Sequence, residues 1–429
     1  MPVEVECIKR AADSLAAALR FRTVLTGGQT EWTEWVKLRD WLRRRYPNIH
    51  STLTREVVGD YSLLFRWAAD SPLGDPLLLC GHLDVAAAEG LWEYPPFSGE
   101  ARDGYIWGRG ALGGKNVVVC LMETIENMIV KGFRPTRDIW IAFGHDHEGG
   151  GAGGAGAIAR LFAERELKFA MVLDGGGCLS RRELPLKNPA AWIGVAEKGR
   201  VMFKLTAAFR GGHASDPDGR TAADLLAEAI ARIGYRKTKT RWTAVTKAES
   251  RALRPLLPMK LRSSLKGLPA GATRTTFAVT GMSAGSDSGS AVLPHYAEAY
   301  VDARLLPGDT AELTARFLKE LLSDLNVTVE TVSGDEPSPV SDYKSAEFQG
   351  LSACIRSVFG ATVCVPSLLP AQSDARRYGQ YCDKVFRFAP FSLTVKDLGC
   401  LYAADEGARA DSFGSALGFY HELLTQMCG

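Results

Sequence analysis

The stretch DIWIAFGHDHEGGGAGGAGAIARLFAERELKFAMVLDGGG, residues 138–177, decides the fold. DIWIAF (138–143) reads as a buried strand, AIARLFAERE (157–166) has helical spacing, and FAMVLD (169–174) is a second strand. Strand, helix, strand in one run is the right-handed crossover unit of a parallel sheet. Outward from it, YSLLFRW (61–67) and PLLLC (76–80) read as further strands, and NVVVCLMETIENMIV (116–130) as a helix. Residues 5–20 and 31–45 also have helical spacing; Trp35, Leu38 and Leu42 form one stripe, and Pro47 ends it. The alternation predicts an α/β protein with a mainly parallel sheet.

The pattern changes near residue 198. VMFKLTAAF (201–209), TRTTFAVTGM (273–282), YAEAYVDARLL (296–306) and VTVETV (327–332) read as strands. TAADLLAEAIARI (221–233) and TAELTARFLKELL (310–322) read as helices. The order β-α-β-β-α-β is the ferredoxin-like arrangement. The expected organisation is a larger domain in two parts, 1–197 and 335–429, interrupted by an α+β lid at 198–334. The turn-rich GDEPSPVSD (334–342) serves as return linker.

Composition sets the class. Of 429 residues, 46% are hydrophobic and 23% charged, near the average of soluble globular proteins. The net charge of +2 gives no overall electrostatic support for a nucleic-acid or membrane-surface role. No apolar run approaches the ~20 residues of a membrane helix. MPVEVECIKR lacks a signal core, and nine scattered cysteines contain no CxxC pair. These features predict a cytoplasmic chain with free thiols.

Chemistry concentrates at strand ends, where open α/β sheets place their ligands. Gly81-His82-Leu83-Asp84 pairs an imidazole with a carboxylate two residues on, a ligand-and-orienter pattern. Gly144-His145-Asp146-His147-Glu148 puts four polar, titratable residues after a buried strand, which packing alone does not explain. Asp174 ends FAMVLD beside three glycines. Gly151 to Gly156 also fits GxGxxG, but His145 to Glu148 separate it from its strand, which argues against dinucleotide binding. Cys80 and Cys178 flank these motifs without an ordered base and read as small buried residues.

Together these segments resemble the aminoacylase and carboxypeptidase S family of zinc metallopeptidases, which includes N-acyl amino acid hydrolases. The resemblance is carried by residues 81–115, IAFGHDHEGGGAGGAGAIA (141–159), VLDGGG (172–177), GGHASDP (211–217), AYVDARLLPGD (299–309), SDARRY (373–378) and LYAADEGARADSF (401–413). It implies a catalytic domain with a ferredoxin-like lid, through which family members often dimerise. It also implies two zinc ions bridged by an Asp of GRGAxDxK, a Glu general base, and a last His ligand. Here the bridging position is Gly113, the base position is His147, and the last ligand position is Tyr402. His82, its orienter Asp84, Glu148 and Asp174 remain.

Two zinc ions ~3.5–4 Å apart need a bridging anion, and no residue replaces the lost carboxylate. The expectation is therefore a metal-free site. His147, Glu148, His82 and Tyr402 would perform acid–base chemistry, with Asp84 and Asp174 supporting. Glu148 or Asp174 would hold the second nitrogen of His147, and a group would titrate between about pH 6 and 8. The resemblance implies Arg376 as the grip on a substrate carboxylate and His213 of the lid as oxyanion stabiliser. Amide cleavage or formation, cyclisation, condensation or epimerisation of a small carboxylate-bearing molecule all suit such a site. The alternatives are a single-zinc hydrolase using His82, Asp174 and His147, and a catalytically inactive binding protein.

Overall fold

Leu77 and Leu79 pack into one hydrophobic cluster, Leu78 and Cys80 into another, so the strand Leu77–His82 is buried on both faces. Successive strand side chains alternate sides, and a sheet covered on both faces therefore reads as a continuous apolar run. Ile139, Ile141 and Phe143 against Trp140 and Ala142 repeat the division in the neighbouring strand Ile139–Gly144. The structure, a computed structural model, describes residues 3–215, 220–261, 270–285 and 291–429.

The large sheet is mixed with a parallel centre. Ile139–Gly144, Leu77–His82, Met171–Asp174 and Val385–Arg387 are neighbours in that order, all parallel. Antiparallel strands Thr54–Val58 and Ser62–Trp67 extend one side. Ala190–Glu197 and Cys364–Leu369 extend the other, parallel to each other. One face is covered by helices Val5–Leu19, Thr33–Arg45, Lys115–Val130, Ala346–Phe359 and Ser412–Cys428, the other by Ala155–Glu164. Pro47 does end a helix, and it also starts the next, Pro47–Thr52, where its missing N–H is no loss.

The smaller sheet is antiparallel, in the order Thr276–Ala284, Tyr296–Leu305, Gly199–Ala208, Val327–Asp335. Helices Ala222–Tyr235 and Ala311–Leu321 pack on it, which completes the ferredoxin-like layer with its own core of Val201, Phe203, Leu226, Val301 and Leu318. The helix Ala244–Leu253, between the first helix and second strand of this layer, packs instead on Cys364–Leu369 of the large sheet.

Candidate active site

Three adjacent parallel strands end at the site: Leu77–His82, Ile139–Gly144 and Met171–Asp174. His82 is the last residue of its strand. Its Nδ1 lies 3.0 Å from the carbonyl oxygen of Asp84 and 3.3 Å from Asp84 Oδ1. Asp84 Oδ2 accepts the backbone N–H of Glu148 at 2.8 Å, so this buried carboxylate ties the two strand-end loops together. The imidazoles of His82 and His147 stack with centroids 4.2 Å apart.

The Nδ1 of His147 is held by neither Glu148 nor Asp174, as the sequence suggested, but by Asp374, whose Oδ1 lies 2.9 Å away. Asp374 is buried, and its second oxygen has no hydrogen-bond partner. Burial works against a charged His147, yet the Asp374 carboxylate overrides it and raises the ring to about 10. His147 is then an imidazolium through neutral pH, a correction to the expected group titrating between 6 and 8. Asp174 moves the other way: burial first, then the charge of Asp374, push its carboxyl up to about 6. Both Asp174 oxygens accept backbone N–H groups, from Gly175 at 2.7 Å and Ala375 at 2.9 Å.

A buried network sets the loop that carries Asp374. Glu197, fully buried, accepts the N–H of Ser373 at 3.1 Å and the Nε of Arg387 at 2.7 Å. The Ser373 hydroxyl also donates to it. Asp374 lies within SDARRY (373–378), where nothing in the local sequence marks it as the partner of a histidine 227 positions away.

Gly113 and Tyr402 sit together on the opposite wall. Glu406 accepts the N–H groups of Gly110, Leu112 and Gly113 and an Arg109 Nη1 at 2.7 Å, in a buried arrangement that joins the two loops. Tyr402 has φ +64°, a conformation costly for a bulky residue. Arg109 Nη2 donates to its carbonyl at 3.2 Å and helps hold it there. Tyr402 keeps 50% of its surface exposed, yet desolvation where it enters the site and the neighbouring Glu148 carboxylate raise its phenol, so it stays neutral and can donate a proton in a hydrogen bond. His82, His147, Asp174, Gly113 and Tyr402 line one cavity of about 160 Å³. Its remaining wall is largely apolar, with Leu112, Val117, Phe391, Leu393, Leu398 and Leu401.

The two other residues of the GHDHE run are structural. His145 is buried, with Nδ1 2.7 Å from the Ser62 hydroxyl. Asp146 accepts the N–H groups of Gly153 and Gly154 at 2.7 and 2.8 Å. That spends the glycine-loop donors a dinucleotide phosphate would need, and the GxGxxG reading falls.

Metal-ligating geometry differs from the expected single-zinc set. Among the described residues, His82, His147 and Glu148 form a group whose ligand atoms lie within 4.8 Å of one another. Glu148 takes the place expected for Asp174. Both imidazoles already have a carboxylate at Nδ1, the outer arrangement usual for histidine ligands.

The two expected substrate contacts stand apart from this cavity. Arg376 lies in a separate cleft with Arg160, Asp335 and Arg377. Its Nη2 donates to the Glu336 carbonyl at 2.7 Å, and its buried Nη1 has no partner. His213 is exposed and bonds Ser215 at 2.7 Å; the Asp216–Pro217 end of GGHASDP lies outside the described residues.

Over residues 78–426 the chain matches the family model described as Peptidase family M20/M25/M40. It is 32% identical to "Probable carboxypeptidase S-like 2" of Dictyostelium discoideum over 440 residues, 96% of this chain and 84% of that protein. It is 30% identical to "N-fatty-acyl-amino acid synthase/hydrolase PM20D1" of Mus musculus over 437 residues, 96% of this chain and 86% of that protein. The fold is shared with the M20 family metallo-carboxypeptidase Sso-CP2 from Sulfolobus solfataricus, at TM-score 0.73, 16% identity and coverage of 96% and 98%. Human carnosine dipeptidase 1 follows at TM-score 0.72, 14% identity and coverage of 100% and 99%. The sequence match spans strand ends, lid and C-terminal helix alike, and the chain belongs to Peptidase family M20/M25/M40.

Proposed function

We propose that this M20 enzyme acts on the amide of a small, carboxylate-bearing N-acyl amino acid by acid–base chemistry that needs no paired zinc centre. The observation that carries the reading is the His147–Asp374 pair in the cavity. Asp374 holds Nδ1, which leaves Nε2 as the nitrogen that can exchange a proton with substrate. Charged at neutral pH, the ring acts first as a proton donor, to a developing oxyanion or a leaving amine. The neutral Tyr402 hydroxyl supplies a second donor. The apolar wall accommodates an acyl group, in keeping with relatives named carboxypeptidase S-like and N-fatty-acyl-amino acid synthase/hydrolase.

The resemblance implies a pair of zinc ions, and the donor set does not fit them. Position 113 has no side chain to bridge with, and Coulomb repulsion between divalent ions is four times that of unit charges. Tyr402 presents a neutral phenol where a ligand is needed, and the Asp174 oxygens are already bonded to backbone.

A second reading is favoured by one observation, the cluster of His82, His147 and Glu148. One zinc held there would supply a Lewis acid and an activated water. Elemental analysis with chelation separates the readings. Well under one zinc per chain, with turnover of N-acyl amino acids unchanged by chelator, supports the first. Stoichiometric zinc, lost together with activity, overturns it in favour of the second.

A further inference from the structure

The near-neutral charge of the chain conceals a local excess. Between residues 236 and 266 there are ten Lys and Arg and a single acid, Glu249. Glu249 does not neutralise the surface: it is buried, facing Arg182 at 3.7 Å and the Ser367 hydroxyl at 3.4 Å. Lys237, Lys239, Lys247, Arg251, Arg254 and Lys260 are all exposed, and none has a side-chain ion partner among the described residues. Elsewhere arginines pair readily. Arg232 lies within reach of both Glu228 and Asp324, and inside the segment Arg241 is the paired exception among the described residues, 2.9 Å from Asp309.

The helix Ala244–Leu253 explains the arrangement. Val245, Ala248 and Leu253 face the large sheet, while Lys247 and Arg251, one turn apart, face outward and Arg254 continues the row. Large apolar side chains flank the cations. Tyr235 is 87% exposed, Leu256 37% and Met259 82%. In the sequence, Leu261, Leu265 and Leu268 go on alternating with Arg262 and Lys266. Basic groups interleaved with exposed apolar ones favour a surface that is anionic outside and apolar just beneath, as a lipid headgroup layer is.

We propose that the face formed by residues 236–260 docks on an anionic membrane surface. The cations hold the headgroups, and Met259 and Leu256 enter the layer below. An acidic protein would satisfy the charges too; the lipid layer is favoured because Tyr235, Leu256 and Met259 all stand exposed among the cations.

The test is co-sedimentation of the full chain with vesicles of phosphatidylcholine alone or with about one quarter phosphatidylserine. Binding should be at least tenfold tighter to the anionic vesicles and fall steeply as salt rises. The triple variant Lys247→Glu, Arg251→Glu, Arg254→Glu should lose at least tenfold. Lys237→Glu with Lys239→Glu, away from the packed helix, is the second probe should the triple variant not fold. Met259→Ser, which changes no charge, should weaken vesicle binding while leaving binding to soluble polyglutamate unchanged. Equal binding to neutral and anionic vesicles overturns the proposal, as does indifference of the folded variants. Retention by polyglutamate without vesicle binding overturns it in favour of an acidic protein.

Discussion

Asp374 Oδ1 and His147 Nδ1 lie 2.9 Å apart although 227 positions separate them in the chain. The pair joins two loops at the edge of the large sheet and sets in the cavity a proton donor that stays charged through neutral pH. A carboxylate on one imidazole nitrogen fixes the tautomer and orientation of the other and stabilises the charged ring. Asp374 itself rests on the buried Glu197–Arg387 pair through Ser373.

Replacing Asp374 with Asn should therefore lower the His147 pKa from about 10, because burial then acts with less opposition. Imidazole NMR shifts measure it directly. The stability difference between wild type and variant has a defined sign. Below about pH 6.5 the ring is charged both folded and unfolded, and the contribution of the pair is complete. It fades as pH rises towards about 10, where the folded state also loses the proton. The gap in Tm should be widest near pH 6 and nearly closed at pH 10. A gap independent of pH would contradict the pair.

Much of this was legible in the sequence. The strands ending in His82, Gly144 and Asp174 announced themselves because burial on both faces leaves an unbroken apolar run. The ferredoxin-like layer was legible from element order. Asp374 was not, since its meaning depends on a strand-order contact between residues far apart in the chain. The helix Ala244–Leu253 was missed for another reason. Its Lys- and Arg-rich outer face dilutes the apolar stripe, and its packing partner is on a different sheet from its sequence neighbours. The role of Asp174 shifted because backbone N–H donors that no motif records occupy its oxygens.

Rebuilding a ligand set tests the lost bridge. A Cβ at Gly113 would meet nothing closer than 3.9 Å, from Glu406 Oε1 and Leu401 Cδ1, so an Asp side chain can start there without a clash. Gly113→Asp, His147→Glu and Tyr402→His combined should raise zinc affinity well above wild type, while each alone gains little. Gly114 is the contrasting control. With φ +100° and a would-be Cβ 2.5 Å from the His82 ring, Gly114→Ala should displace His82 and lower activity. Unchanged zinc binding in the triple variant would show these positions to be wrongly matched.

The Arg387–Glu197 pair gives a stability test. Both side chains are almost fully buried, 1% and 0% exposed. Arg387→Ala leaves an unpaired buried carboxylate and should cost roughly 3–5 kcal/mol. Arg387→Met with Glu197→Leu should cost less, because neither charge remains to be desolvated. Denaturant unfolding of both variants checks the order; a double variant less stable than Arg387→Ala would refute it.

Arg376 as a carboxylate anchor predicts a chemical discrimination. It stands in a cleft apart from the His147 cavity, with Nη1 buried and unpartnered, Nη2 on the Glu336 carbonyl and Nε 4.0 Å from Asp335 Oδ2, so a role in substrate binding needs a direct test. Arg376→Lys removes the planar fork. If Arg376 reaches the substrate carboxylate from its separate cleft, affinity for an N-acyl amino acid should fall by roughly 1.5–3 kcal/mol, the worth of a charged hydrogen bond. Affinity for the corresponding methyl ester, already weak, should hardly change. Equal binding of acid and ester to wild type would remove Arg376 from substrate recognition.

His147→Ala is the decisive variant for the chemistry. Without a metal ion, water keeps a pKa near the bulk ~15.7 and is a poor nucleophile, so a charged donor that protonates the developing oxyanion or the leaving amine carries more of the barrier. His147 is the group with the right address: it lines the cavity, it stacks on His82, and Asp374 fixes its tautomer. Turnover should fall by roughly 10²–10⁴-fold, the usual worth of a positioned acid or base. Tyr402→Phe should cost less, since the ring and the loop held by Glu406 remain. Because His147 stays charged well past neutrality, activity resting on its proton should hold from about pH 7 to 8 and decline towards about 10. Asp174, titrating near 6, should set the acidic limb. Asp374→Asn should move the alkaline limb down with the pKa of the ring. A His147→Ala enzyme that keeps its rate would end the acid–base reading, and an alkaline limb unmoved by Asp374→Asn would take that role from the pair.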